Sequence, residues 1–228
     1  MEKEVKRIKS GKRIRELIFG ANDALVSNLA LVAGLSGAVL TSNIIIIACI
    51  AEAVAGAISM GVGGYISSKS QVEFYNNEIQ KEKERITKDP KAHKKELREI
   101  YKKRGFKGKE LENIVNKISS NKKTWLNVML EEDLGLAKQT FDNPKAVGIT
   151  LALAFLIAAF IPILPFFFIV NALIYSIILT IIILFLIGMA KTRITGKNWF
   201  KSGIEMVIIG IVATALSYFI GNLLGGNY

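Results

Sequence analysis

The chain has 228 residues, of which 51% are hydrophobic, and its formal net charge is +11. Its mean hydropathy of +0.36 excludes a disordered chain and favours a protein that lies mostly in a membrane. The single cysteine excludes a disulfide within the chain.

Five apolar runs are each long enough to cross the hydrocarbon core of a bilayer, which takes about 20 residues. They are residues 17–41, 44–66, 146–165, 166–190 and 203–224. The predicted fold class is therefore an all-α membrane protein with five transmembrane helices and a charged helical insert between the second and third.

The positive charges are confined to three segments. All 30 Lys and Arg lie in residues 1–15, 69–145 and 191–201. The positive-inside rule places these segments in the cytosol, so the N-terminus is expected inside and the C-terminus outside. Orientation and anionic lipid headgroups account for the basic balance without a nucleic-acid partner. The predicted domains are 1–68 (N-terminal segment and spans 1 and 2), 69–145 (cytoplasmic insert) and 146–228 (spans 3 to 5).

Two acids, Asp23 and Glu52, are the only full charges in the first two apolar runs. A carboxylate at that depth costs at least about 2.5 to 3.5 kcal/mol, so such residues usually face a bundle interior and mark an ion or proton path. The alternative is a pair of protonated acids that are hydrogen-bonded between helices. Both acids are candidate path residues.

A thioether lies on the same helix as the second acid. Glu52, Gly56, Ser59 and Gly63 recur at helical spacing and form a stripe of small or polar residues, with Met60 beside it. Carboxylate oxygens suit Mn²⁺ and Fe²⁺, and a Met sulfur adds a soft contact that Mg²⁺ and Ca²⁺ do not seek. Met60 is the third candidate path residue, although ordinary packing would also explain it.

The insert is predicted to be helical. The second span should continue as one long helix to about residue 87, Asp89 and Pro90 should begin the next helix, and Gly105 should end it. Acidic and soft side chains share helical faces, and if they converge they form a metal site. The candidate ligands are Glu78, Glu82, His93, Glu96, Met129, Glu132 and Asp133.

The alternative is a solvated charged face. Residues 69–145 contain 19 Lys and Arg beside 13 Asp and Glu, and such a surface needs no metal. On that interpretation His93, in a Lys-rich helix, is a surface residue.

Three segments carry a family resemblance. GANDALVSNLALVAGLS at residues 20–36, EAVAGAISMGVGGY at 52–65 and MLEEDLGL at 129–136 resemble the vacuolar iron transporter family. The resemblance implies a dimer that exports Fe²⁺ or Mn²⁺ from the cytosol, generally in exchange for protons. It also implies that Asp23, Glu52 and Met60 line the path at the dimer axis.

The chain departs from the family pattern in the insert. Members with a developed metal site tend to have Glu where this chain has Arg85, His93 and Asp133, whereas Glu82, Glu96 and Met129 fit. A fixed cation among the ligands raises the cost of binding a divalent ion. Asn28 replaces the Pro of many eukaryotic members, and in this the chain looks more like prokaryotic relatives.

The sequence therefore favours a homodimeric Fe²⁺ or Mn²⁺ transporter in the cell membrane, with a vacuole-type membrane as the alternative. No prosthetic group is expected, and the partners are the bilayer, divalent metal ions, protons and a second copy of the chain. The competing hypothesis is a membrane-bound metal sensor or storage protein without flux. An enzyme is not expected, although a carboxylate-rich insert could oxidise Fe²⁺ as a ferroxidase.

The placement of every Lys and Arg predicts the topology. In a Cys49→Ala background, Lys94→Cys should be protected from an impermeant thiol reagent applied outside, and Asn227→Cys should react. The measurement is the labelled fraction before and after permeabilisation. The reverse pattern would contradict the predicted orientation.

Overall fold

The structure is a computed structural model that describes residues 2–132, 143–169 and 171–225. It divides into two compact units, one formed by residues 1–67 and 142–228 and the other by residues 68–141. All regular secondary structure in the described ranges is helical. The eight α-helices are α1 (Glu2–Gly37), α2 (Ser42–Lys88), α3 (Pro90–Lys103), α4 (Gly108–Ser119), α5 (Lys122–Glu132), α6 (Pro144–Ile163), α7 (Leu173–Thr195) and α8 (Trp199–Gly225).

Five of the helices are long and apolar enough to cross a membrane, which confirms the predicted fold class. The candidate spans are Gly11–Gly37, Ser42–Lys88, Pro144–Phe167, Leu173–Arg193 and Trp199–Gly225. The side of the membrane on which the 68–141 unit lies stays a prediction.

The start of the fourth span was predicted too early. The sequence placed it at residue 166, whereas α7 begins at Leu173. Proline has no backbone N–H to donate, and Pro162 and Pro165 lie where α6 ends and a short 3-10 helix, Leu164–Phe167, takes over. Phe166 is buried in this connection, so the apolar run continues through a turn and periodicity does not reveal the break.

Glycines allow the spanning helices to approach closely. A Cβ on Gly20 of α1 would lie 2.9 Å from the Leu151 carbonyl oxygen of α6. Farther along α1, a Cβ on Gly34 would lie 3.3 Å from the Ser217 carbonyl oxygen of α8. Small residues at such crossings increase the van der Waals contact that holds helices together in lipid. Helix α1 therefore packs against α6 with its first half and against α8 with its second.

Glycines also allow α2 to approach α6 closely. A Cβ on Gly148 would lie 2.6 Å from the Gly61 carbonyl oxygen, and one on Gly61 would lie 2.9 Å from the Ala152 Cβ. Gly56 faces the ring of Phe155 with no room for a side chain. The close approach fixes which side of α2 is covered.

The 68–141 unit has its own apolar core. The predicted helix boundaries are confirmed: Asp89 accepts a hydrogen bond from the Ala92 backbone N–H at 2.9 Å, and Gly105 has a φ of 99° just after α3. Arg98 donates two hydrogen bonds, of 2.7 and 2.8 Å, to Glu112, and this contact holds the pKa of the Glu112 carboxyl below its usual range. The core residues are Ile86, Leu97, Leu111, Val115, Trp125, Leu126, Met129 and Leu130.

We predict that Gly148→Ala destabilises the membrane unit by about 1 to 3 kcal/mol, because the new methyl group has no space against the Gly61 backbone. The control is Gly63→Ala, since a Cβ at Gly63 meets nothing within 4 Å. Thermal unfolding in detergent measures both variants. Equal melting temperatures for the two would contradict the tight α2–α6 contact.

Candidate functional site

The two membrane acids lie beside the same apolar cluster. Asp23 is on the exposed side of α1 and Glu52 is half-buried on α2. The residues that follow them, Ala24 and Ala53, are both fully buried in one cluster together with Phe155. The packing thus brings the two acids to the same part of the membrane unit.

Met60 packs against this cluster as well and is partly buried. It lies eight residues beyond Glu52 on α2, which corresponds to about 12 Å of helix. The carboxylate and the thioether are therefore at different depths along α2.

Neither acid has a partner of opposite charge among the described residues. In the part of the chain that the structure describes, Asp23 and Glu52 form no hydrogen bond or ion pair. Glu205 of α8 is different, because its carboxylate lies 3.3 Å from the Lys191 ammonium. An unpaired carboxylate in a spanning helix requires water, a cation or a proton to offset its cost.

The 68–141 unit holds a second group of acids around a histidine. Glu82 and His93 are 1% and 4% exposed. His93 Nε2 lies 3.2 Å from Glu82 Oε1 and 3.6 Å from Glu96 Oε2. The alternative in which His93 is a surface residue of a solvated face is wrong, because His93 lies one turn before the buried Leu97 on the inner face of α3.

Arg85 completes this group, which we call the Arg85 cluster (Glu82, Arg85, His93 and Glu96). Its guanidinium lies 3.2 Å from Glu82 Oε2 and 3.7 Å from Glu96 Oε1. Each carboxylate thus has one oxygen near the arginine and the other near the histidine. The cation that the sequence identified as a competitor does contact the candidate ligands.

One pair of donors in the cluster has a separation that suits a shared divalent ion. Two ligands bound to one ion at 2.0 to 2.2 Å lie roughly 3 Å apart, close to the separation of His93 from Glu82. Both ring nitrogens of His93 and Glu82 Oε1 are buried and lack hydrogen-bond partners among the described residues. Even so, no three His, Cys, Asp or Glu side chains in the described ranges are arranged to hold a metal ion.

The other candidate ligands of the insert have different contacts. The Glu78 carboxylate is 2.7 Å from the Lys81 ammonium, and Glu132 is paired with Arg104. Met129 is fully buried in the apolar core, where it packs as a hydrophobic residue. Asp133 lies outside the described residues. Of the predicted ligands, the structure brings together Glu82, His93 and Glu96.

The sequence assigned candidate path residues only to α1 and α2, and it did not place α8 near Glu52. Glu52 faces an open groove whose far wall is α8, where Ser217 is the polar side chain. The available signal was Ser217 followed by Gly221 one turn later, a pair of small residues on one face of the fifth span.

Five helices that are long and apolar enough to span a bilayer define a multi-pass helical membrane protein. The VIT family model matches residues 14–222, and the chain belongs to this family. It is 37% identical to vacuolar iron transporter 1 of Arabidopsis thaliana over 93% of this chain and 86% of the relative. It is 32% identical to the vacuolar iron transporter of Plasmodium berghei (94% and 83% covered) and 30% identical to protein CCC1 of Saccharomyces cerevisiae (93% and 69%).

We predict that Arg85→Gln and Arg85→Glu both tighten Mn²⁺ binding, the second by roughly tenfold or more, since a like charge a few ångströms from the ion is removed. The matched control is Lys88→Glu, which makes the same charge change on the same helix outside the cluster. Calorimetry on the full chain in detergent measures the affinities. Equal affinities for the parent and both Arg85 variants would show that the ion does not bind at this cluster.

Proposed function

We propose that the chain transports divalent iron or manganese across a membrane, out of the cytosol and in exchange for protons. The observation that carries the proposal is the pair of unpaired carboxylates, Asp23 and Glu52, beside one cluster in the membrane unit. Membership of a family whose relatives are named vacuolar iron transporters supports iron as the cargo. The proposal includes no enzymatic reaction and no prosthetic group.

The side chains favour a transition metal over Mg²⁺ or Ca²⁺. Carboxylate oxygens alone would accept all of these ions, whereas the Met60 sulfur contributes only to softer ones. Because Met60 is about 12 Å along α2 from Glu52, we propose successive positions for the ion rather than one tight cage. A path of several weak positions lets the ion leave as well as enter.

Proton exchange follows from the same carboxylates. A divalent ion and protons compete for the same oxygens, so binding of the metal releases protons and its departure lets them return. A carboxylate that is already paired with a cation of the chain would bind a metal ion or a proton less readily. The absence of such a partner for Asp23 and Glu52 in the described residues supports this coupling.

The chain is proposed to work as a homodimer. Asp23 is exposed on the surface of the single chain, where contact with lipid would be costly. A two-fold axis along this face would bring together two Asp and two Glu and cover them. Closed two-fold symmetry is the commonest arrangement of homo-oligomers.

We propose that the 68–141 unit is cytosolic and supplies metal through the Arg85 cluster. Charge position supports this side, since 19 Lys and Arg lie in residues 69–145. The names of the vacuolar iron transporters among the relatives point to a vacuole-type membrane, whereas the cell membrane remains our proposal for this chain.

We predict that Asp23→Ala and Glu52→Ala each abolish Mn²⁺ uptake into proteoliposomes while the protein stays folded, because removing an unpaired acid relieves a desolvation cost. Glu205→Ala is the matched control, since this acid is paired with Lys191, and it should keep the parental flux. An internal pH dye reports proton exchange in the same vesicles. Metal binding without flux in the parent would instead indicate a sensor or storage protein.

Met60→Ala should act on selectivity. Loss of the thioether removes the soft contact and leaves the carboxylates, so Fe²⁺ flux should fall more than Mn²⁺ flux. Uptake of each ion measured under anaerobic conditions tests this, and equal losses for both ions would contradict a role of the sulfur.

A further inference from the structure

Glu52 opens into a groove of about 530 Å³ that lies between α1, α2 and α8. Ser27, Gly34 and Ala38 line its α1 side, and Ser217 and Gly221 line its α8 side. These α1 residues continue the face that begins with Asp23, since they follow it at helical spacing. The groove is therefore joined to the face that carries the path residues.

The groove runs from the middle of the bilayer to one surface. Glu52 lies ten residues after the start of α2 at Ser42, or about 15 Å of helix, which is half of a hydrocarbon core of about 30 Å. From there the lining residues approach the end of α1 at Gly37 and the end of α8 at Gly225. By the positive-inside rule this is the side away from the cytosol.

The chemistry of the lining suits a cation in transit. The Glu52 carboxylate is the one full charge among the lining residues, and the hydroxyls of Ser27 and Ser217 are the other polar side-chain groups. One carboxylate at the deep end attracts a cation, and hydroxyl and apolar walls hold it weakly enough to let it leave. The Ser27 hydroxyl donates only a long 3.4 Å hydrogen bond to the Ala24 carbonyl oxygen, so it can turn towards an ion or its water.

The side of the groove where α1 meets α8 is closed by backbone. Gly34 and Gly221 touch there with no space for a Cβ on Gly221. Such a glycine crossing leaves no gap for lipid between the two helices. An ion leaving Glu52 is thereby directed along the groove.

We propose that this groove is the outer vestibule of the metal path and that Ser27 and Ser217 line the route by which an ion exchanges between Glu52 and the solution outside the cytosol. The proposal rests on the transport function proposed above and adds α8 to the path.

Cysteine accessibility tests the vestibule. In a Cys49→Ala background, Ser217→Cys is compared with Leu216→Cys, whose side chain is 59% exposed outside the groove. The probe is a membrane-impermeant cationic methanethiosulfonate, added to the side at which Lys94→Cys does not react. Ser217→Cys should react at least about tenfold faster than Leu216→Cys, because only a thiol in water ionises and meets the reagent. Equal rates at the two positions would overturn the vestibule.

Transport provides the second readout. A cationic adduct on Ser217→Cys should lower Mn²⁺ flux at least about fivefold relative to the unmodified variant, since it repels the ion in a confined space. The same treatment of Leu216→Cys should leave its flux unchanged. If the parent transports Mn²⁺ and the modified Ser217→Cys variant transports it at the rate of the unmodified variant, the vestibule proposal is wrong and the transport function stands. No flux in the parent, equal to that of Glu52→Ala, would overturn the transport function itself.

Discussion

The free energy needed to hold a carboxylate in hydrocarbon determines what has to surround Asp23 and Glu52. Asp23 and Glu52 each have no ion-pair partner in the described residues, and a carboxylate at that depth costs at least about 2.5 to 3.5 kcal/mol. Water, protons, metal ions or a second copy of the chain must therefore meet them. The exposed position of Asp23 and the groove at Glu52 leave access for these species.

Close helix packing holds the bundle together and leaves Asp23 exposed. Glycines let α1 contact α6 and α8, and let α2 contact α6, at close range. In lipid the helices gain little from burying apolar surface against each other, so van der Waals contact at small residues has to hold them. The bundle can thus be stable without covering Asp23, and its stability does not depend on neutralising the acid inside the single chain.

In the Arg85 cluster the buried carboxylate is paired with a cation of the chain. Glu82 is nearly inaccessible to solvent, and a buried carboxylate is costly without a partner. Arg85 supplies a permanent positive charge to Glu82 and Glu96, so two carboxylates and one guanidinium leave a net charge near −1. A divalent ion has to bind beside this cation or displace it. Among the described residues no cation is paired with the membrane acids, so the two groups of carboxylates differ in that only the Arg85 cluster has a cation in contact.

The sequence by itself determined the five spans, the two membrane acids and the cap at Asp89, because span length, charge depth and capping are local properties. It placed the start of α7 seven residues too early. Phe166 lies in the short 3-10 helix of the connection, and because it is apolar there, the sequence does not distinguish it from a residue of a span. Only the tertiary structure shows that His93 is buried, that Met129 belongs to the apolar core and that α8 lies opposite Glu52. These positions depend on contacts between distant segments, which periodicity along one helix does not record.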